Sequence, residues 1–184
     1  MIDKHELRNK VRQMRRMLTD QERSAASCAV FERLEQTAAF QLADRILMYH
    51  SLPDEVSTIE FLRKWNGRKH FFLPRVNGVN LEILPYDSQR LELGSFHIEE
   101  PVGDDVRDPS EIELIITPAV AYDRKGNRIG RGKGYYDRLL QHTKATKIGV
   151  VYHFQLSDEE IDVEPHDVPV DMVITDCCTI LVKH

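Results

Sequence analysis

The sequence predicts a three-layer α/β fold, in which a mostly parallel central sheet is flanked by helices. Short apolar segments alternate with helical segments along the chain, which is the order of βαβ units. Residues 113–117 are almost continuously leucine or β-branched, apart from the first, as expected of a strand buried on both faces of a parallel sheet. Because the chain has 184 residues and no repeat or linker, we expect one domain over residues 1–184.

The N-terminal third is predicted to be helical. Apolar side chains recur there at three- and four-residue spacing, which predicts an amphipathic helix: Leu7, Val11, Met14, Met17 and Leu18. Thr19 and Glu22 form a capping-box pattern that begins a second helix, which we expect to extend to about residue 40.

Strands and helices alternate after residue 44. A strand is predicted at residues 45–50, then a helix at 59–65 that begins with a capping box of Ser57 and Glu60. The later strands are predicted at residues 69–73 (ended by Pro74), 81–86, 113–117, 147–151, 172–175 and 179–182, with a helix at 135–142.

The composition is that of a soluble globular protein, with 41% hydrophobic and 30% charged residues. No apolar run approaches the ~20 residues that a membrane span needs, and the first twenty residues are too charged for a signal peptide. We therefore expect a cytoplasmic protein with no membrane partner. Cys28, Cys177 and Cys178 form no CxxC pair, which argues against a disulfide framework or a zinc finger.

Positive charge is concentrated in two segments, which we call the basic segments. Residues 1–16 and residues 122–138 each carry six basic and two acidic side chains, a net charge of +4. Because the whole chain carries −5, the remaining residues carry −13. This distribution favours a local anionic ligand over a nucleic-acid track, which would favour a basic balance overall.

A glycine-rich loop in the second basic segment carries the strongest functional signal. Gly130, Gly132 and Gly134 alternate with Arg131 and Lys133 just before a predicted helix. Glycines let backbone N–H groups turn inward, while the helix start and the two side chains add positive charge. The loop is therefore suited to phosphate.

The loop matches no standard phosphate motif. Asn127 stands where a Walker loop requires glycine, and the GxGxG spacing differs from the dinucleotide fingerprint GxGxxG. A tight surface turn with solvated basic side chains is the alternative. Two features favour a site: Asp137 lies one turn beyond Lys133, where it could hold phosphate-bound magnesium, and two adjacent tyrosines offer flat faces for a ring.

Four segments together resemble the 5-formyltetrahydrofolate cyclo-ligase family, and they follow its order over nearly the whole chain. They are the glycine loop GNRIGRGKGYYDR, the KxxxR pattern of Lys4 and Arg8, DEVST at residues 54–58, and PHDVPVDMVIT at residues 165–175. The resemblance implies a Rossmann-like α/β fold. It also implies an ATP-dependent, magnesium-requiring enzyme that converts 5-formyltetrahydrofolate to 5,10-methenyltetrahydrofolate and releases ADP and phosphate.

The resemblance also implies roles for individual residues. Arg131 and Lys133 would stabilise the transferring phosphoryl group as the catalytic pair. The ATP-binding residues would be Lys4, Arg8, Gly130, Arg131, Gly132, Lys133, Gly134, Tyr135, Tyr136, Asp137 and Arg138. Without the resemblance, Lys4 and Arg8 would be taken for a solvated helix face, and Arg12, Arg15 and Arg16 keep that interpretation.

On the folate side, Glu55 would accept hydrogen bonds from the pterin ring, and Tyr135 and Tyr136 would lie between the folate and the γ-phosphate. Asp137 and Asp171 would hold magnesium, whereas Asp167 is not assigned. The sequence departs from the family at Ser57, where an acidic residue is frequent, and at His50, where an apolar residue is common. A half-buried strand histidine is the simpler interpretation of His50.

Other functions remain open at this stage. One is a non-catalytic nucleotide or RNA binder that uses the same basic segments, although the acidic remainder argues against nucleic acid. Another is a sugar-phosphate isomerase or transferase on a related sheet, because fold alone does not fix function. We expect ATP and a folate, possibly polyglutamylated, as partners, no nucleic acid, and a monomer or weak homodimer.

Overall fold

The computed structural model describes residues 2–184, and helices pack on both faces of its seven-stranded sheet. The helices are α1 (Lys4–Met17), α2 (Asp20–Glu35), α3 (Ala38–Leu42), α4 (Ile59–Trp65) and α5 (Tyr135–Gln141). The strands are β1 (Arg45–Leu47), β2 (His70–Asn77), β3 (Asn80–Pro85), β4 (Leu91–Leu93), β5 (Glu99–Pro101), β6 (Leu114–Thr117), β7 (Ala121–Asp123), β8 (Arg128–Ile129), β9 (Thr146–Val150), β10 (Leu156–Ser157), β11 (Met172–Ile174) and β12 (Thr179–Leu181).

The central sheet has the strand order β12-β11-β9-β6-β1-β2-β3. Its five inner strands are mutually parallel, and only the edge strands β3 and β12 pair antiparallel. The predicted class, a mostly parallel sheet flanked by helices, is confirmed. A small sheet of β10, β7 and β8 and a hairpin of β4 and β5 lie outside it.

Side chains of the inner strands alternate between two apolar cores. On β6, Leu114 and Ile116 pack in the core shared with α2, α3 and α4, whereas Ile115 packs with Leu139 and Leu140 of α5 on the other face. Because both faces are covered, the strand has no polar face, and this explains its continuous apolar sequence.

The helical region agrees with the sequence in one capping box and differs from it in two other details. The capping box of Thr19 and Glu22 is present. The helix that it begins stops at Glu35, because Thr37 caps a separate short helix by accepting a hydrogen bond from the Phe40 N–H at 3.1 Å. The second capping box was wrong: Thr58, not Ser57, precedes α4 and makes no cap bond.

The predicted end of a strand at Pro74 was also wrong, because β2 continues to Asn77. Pro74 faces Ile83 of β3, and the Ile83 carbonyl accepts from the Arg107 N–H at 2.8 Å instead of from β2. Proline therefore occupies a position of the ladder where no N–H is needed.

Gly149 of β9 lies against the buried ring of Tyr122, and a Cβ at this position would overlap that ring. We expect Gly149→Ala to lower the free energy of unfolding by about 1–3 kcal/mol, the usual cost of overpacking. Urea denaturation measures the loss. In a Tyr122→Leu background the same change should cost clearly less, and an equal cost would contradict the overlap as the cause.

None of the helices in residues 2–184 combines the length and the apolar character that crossing a membrane requires.

Candidate active site

A cavity of about 500 Å³ opens where several inner strands end. Its wall includes His50, just beyond β1, and Pro118, just beyond β6, so it lies at the carboxyl ends of the parallel strands. Open α/β sheets bind their ligands at this edge. The start of α1, the glycine loop and the turn between β4 and β5 complete the wall.

The two basic segments meet at this cavity. Lys4 and Arg8 lie one helical turn apart on α1, and both line the cavity together with the glycine loop. Arg8 also donates from Nη2 to the carbonyl oxygen of Gly130 at 3.3 Å. Charges that are more than 120 residues apart in sequence therefore surround one space, as a local anionic ligand requires.

The glycine loop presents its cations to solvent. Gly132 and Gly134 adopt φ values of +95° and +71°, which disfavour any side chain, so the loop needs glycine at both positions. Arg131 and Lys133 are exposed between the glycines. The Lys133 Nζ lies 5.4 Å from the centre of the Phe96 ring and forms no ion pair within residues 2–184, so it is available to an anion.

Arg138 is the one member of the predicted ATP set that does not line the cavity. Its Nη2 donates to the Lys133 carbonyl at 2.9 Å, and its Nε donates to the Val79 carbonyl at 2.7 Å. The side chain therefore ties the glycine loop to the turn between β2 and β3. We revise its role from a phosphate contact to a support of the loop.

Glu55 reaches the cavity from the segment after β1, with a side chain that is only 10% exposed. Its Oε1 accepts from the Leu52 N–H at 2.8 Å, and its backbone carbonyl accepts from the Tyr152 hydroxyl at 3.0 Å. Burial raises the pKa of Glu55, although the Leu52 N–H and the cation of Arg131 oppose the rise. Its Oε2 lies 3.8 Å from the Arg131 Nη2.

Arg128 also lines the cavity, and sequence reasoning missed it. The guanidinium donates from Nε to the Pro118 carbonyl at 2.9 Å, covers the Tyr136 ring at 5.1 Å, and lies 3.8 Å from an Asp137 carboxylate oxygen. Its side chain is almost buried. Arg128 belongs to the second basic segment, and this was the only sequence signal that could have pointed to it. The spacing of the basic residues did not show that Arg128 is buried while its neighbours are solvated.

The structure does not bring the two predicted metal ligands together. Asp137 lines the cavity, whereas Asp171 lies at the amino ends of β9 and β11. Both Asp171 carboxylate oxygens are engaged there, one by the Lys147 N–H at 2.8 Å and one by the His184 ring at 2.8 Å. Asp171 is therefore withdrawn as a ligand. No cluster of three or more His, Cys, Asp or Glu suited to a metal is found in residues 2–184.

Asp167, which we did not assign from the sequence, lines the same cavity as Asp137. One of its oxygens accepts from the Glu164 N–H at 2.8 Å, and the other lies 3.5 Å from the His166 Nε2. Asp167 and Asp171 stand four residues apart in one motif, so the motif alone could not tell which carboxylate reaches the site.

His50 and the three arginines Arg12, Arg15 and Arg16 of α1 were also given interpretations from the sequence. His50 lies just beyond the end of β1 and half-buried in the cavity wall, where burial lowers its pKa and the charge of Glu99 partly opposes this. On α1, Arg12 and Arg16 are exposed as predicted. Arg15 is buried and contacts Asp54, so the prediction that Arg15 lies on a solvated helix face was wrong.

The fold and the cavity define an α/β protein with a basic, glycine-rich anion cleft beside a buried carboxylate. The model of the 5-formyltetrahydrofolate cyclo-ligase family matches residues 1–176. The chain therefore belongs to the 5-formyltetrahydrofolate cyclo-ligase family, whose members are enzymes.

Individual relatives agree with this assignment. The chain is 32% identical to the 5-formyltetrahydrofolate cyclo-ligase of Escherichia coli (strain K12), over 90% of this chain and 96% of that protein. It is 30% identical to the mouse protein of the same name, over 93% and 92% of the two chains. Its fold is similar to the NMR structure of Aquifex aeolicus 5,10-methenyltetrahydrofolate synthetase, with a TM-score of 0.88, 33% identity, and coverage of 98% of this chain and 93% of that one.

Proposed function

We propose that this protein uses ATP to convert 5-formyltetrahydrofolate to 5,10-methenyltetrahydrofolate, with release of ADP and phosphate. One observation carries the proposal: the cations of both basic segments and the buried Glu55 carboxylate line the same cavity. Cations suit a triphosphate, and a carboxylate suits the N–H groups of a pterin. Both substrates of the family reaction therefore have complementary groups within one space.

The phosphate side consists of Lys4, Arg8 and the glycine loop. Lys4 and Arg8 line the cavity from α1, and Lys133 lines it from the glycine loop. In phosphoryl transfer the protein mainly positions the reactants and stabilises charge on the transferring group. We assign that stabilisation to Arg131 and Lys133.

The folate side is built from a carboxylate and aromatic rings. Glu55 offers carboxylate oxygens for paired hydrogen bonds from the pterin N–H and amino groups. Phe96 and Tyr135 both line the cavity, and their ring centres are 6.3 Å apart. Aromatic faces suit the flat rings of a folate, and the half-buried Tyr136 also lines the cavity.

The chemistry needs no covalent attachment to the protein. The formyl oxygen attacks the γ-phosphorus, the bond between that phosphorus and the β,γ-bridging oxygen breaks, and ADP leaves. The N10 lone pair then forms a bond to the activated carbon, and N10 loses its proton. Finally the bond between carbon and the phosphorylated oxygen breaks, so that phosphate leaves and the methenyl bridge remains.

Magnesium is compatible with the residues of the cavity. Mg²⁺ prefers one or two carboxylates together with phosphate oxygens and water, and Asp137 and Asp167 both line the cavity. We propose these two residues as its protein ligands. When bound, the cation would neutralise charge on the triphosphate.

A direct assay tests this function. Purified protein with ATP, Mg²⁺ and 5-formyltetrahydrofolate should produce a methenyl folate, followed by its near-ultraviolet absorbance, with one ADP formed per product. Omitting ATP or adding EDTA should stop the reaction. Folded protein that gives no absorbance change with fresh substrate would refute the proposal, and nucleotide binding without turnover would favour a non-catalytic binder.

A further inference from the structure

We propose that Asp54 is a positioning residue, which aims Arg131 at the reacting phosphoryl group by linking it to a buried arginine of α1. The proposal rests on the proposed function, because it explains how one of the assigned phosphate contacts is held in place. Asp54 itself is not among the residues that line the cavity, so it acts through Arg131 and not on a substrate.

The Asp54 carboxylate joins two arginines from distant parts of the chain. Its Oδ2 lies 3.3 Å from the Arg15 Nη1, and its Oδ1 lies 3.4 Å from the Arg131 Nη2. The Arg15 side chain is 8% exposed, whereas the Arg131 side chain is 48% exposed. One carboxylate therefore connects a fixed cation with a cation on the surface of the glycine loop.

Arg15 is a rigid support for Asp54. Its Nη2 donates to the Ala119 carbonyl at 3.4 Å, and its own backbone carbonyl accepts from the Arg23 Nη2 at 3.2 Å. Arg23 in turn donates to the Pro53 carbonyl at 3.1 Å, next to Asp54 in sequence. The position of Asp54 is thus set both through its side chain and through the backbone of its own segment.

The contact with Asp54 leaves Arg131 between the two substrate sides. Its Nη2 lies 3.4 Å from Asp54 and 3.8 Å from the Glu55 Oε2, whereas its Nη1 and Nε have no hydrogen-bond partner within the described part of the chain. These donors remain for a phosphoryl group. An exposed arginine without an anchor would lose rotamer freedom when it binds, so holding it in advance favours the transition state.

A double-mutant cycle tests the proposal. We expect Asp54→Asn to lower kcat about tenfold with little change in the KM for ATP, because Arg131 is misaimed in the transition state. In an Arg131→Gln background, Asp54→Asn should change kcat by less than about twofold, because its route of action is already gone. Asp20→Asn, which removes an exposed carboxylate near Arg23, serves as the matched control and should leave kcat unchanged.

The outcomes separate the two proposals. An inactive wild-type protein would refute the proposed function. If the wild type is active and the kcat losses of Asp54→Asn and Arg131→Gln multiply in the double variant, only the positioning role is refuted. Thermal denaturation is measured for each variant, because Asp54→Asn leaves the buried Arg15 charge uncompensated. If that variant does not fold, the same cycle is run with Asp54→Glu, which keeps a carboxylate beside Arg15 but moves its oxygens away from their present positions, and independent losses there would equally overturn the proposal.

Discussion

Lys133→Ala is expected to lower kcat for methenyl folate formation by about 10²–10³-fold, comparable to removing one oxyanion donor. Lys133 is an exposed cation of the glycine loop that forms no ion pair in residues 2–184, so its charge is not already satisfied by the protein. Its contact with the γ-phosphate would strengthen as the phosphoryl group transfers, and the loss should therefore appear in kcat and in kcat/KM alike.

The control for this prediction must be an arginine on the solvated face of α1. Arg16 is exposed, and we expect Arg16→Ala to leave kcat within about twofold of wild type, as surface changes away from a site usually do. Arg15 is unsuitable as a control, because its burial against Asp54 makes any substitution a change in stability. Steady-state rates that are equal for Lys133→Ala and Arg16→Ala would remove Lys133 from the catalytic pair.

The parts of the molecule that sequence predicted well are governed by local rules. Residues 113–117 read as a buried strand because both faces of β6 are covered, and the Thr19 capping box depends only on atoms within one turn. The glycine loop was recognised for a similar reason, since closely spaced glycines and cations are a local signal. Each of these features can be identified without knowing where distant segments lie.

The parts that were missed depend on tertiary contacts. Arg15 belongs to a run of basic residues on α1, and only the approach of Asp54 and Ala119 makes it a buried group. Asp171 matched the expected motif, but the start of β11 places it beside Lys147, away from the cavity. A carboxylate four residues earlier, Asp167, reaches the site instead. Sequence spacing cannot distinguish such alternatives outside regular secondary structure.

Glu55 offers the sharpest test of the folate side, because its replacement by glutamine should lower activity and raise stability. We expect Glu55→Gln to lower kcat/KM for 5-formyltetrahydrofolate by about 10²-fold or more, since the amide replaces an acceptor with a donor where the pterin donates. Glu60→Gln, at a carboxylate that is 82% exposed on α4, should leave kcat/KM unchanged.

The stability of the same variant should depend on pH in a defined direction. Burial raises the pKa of Glu55 above its unfolded value of 4.5, so the protonated form is the one that the fold favours. Its contribution to stability is fully present below the unfolded pKa and is lost as the pH rises through the folded pKa. Glutamine stays neutral at every pH. Glu55→Gln should therefore have a higher Tm than wild type at pH 8, and the difference should shrink toward pH 4.

A variant with lower stability than wild type at pH 8 would mean that Arg131 and the Leu52 N–H outweigh the desolvation of the carboxylate. A functional carboxylate held at a cost in stability is the usual form of a stability–activity trade-off, and the pH series measures that cost at a single residue.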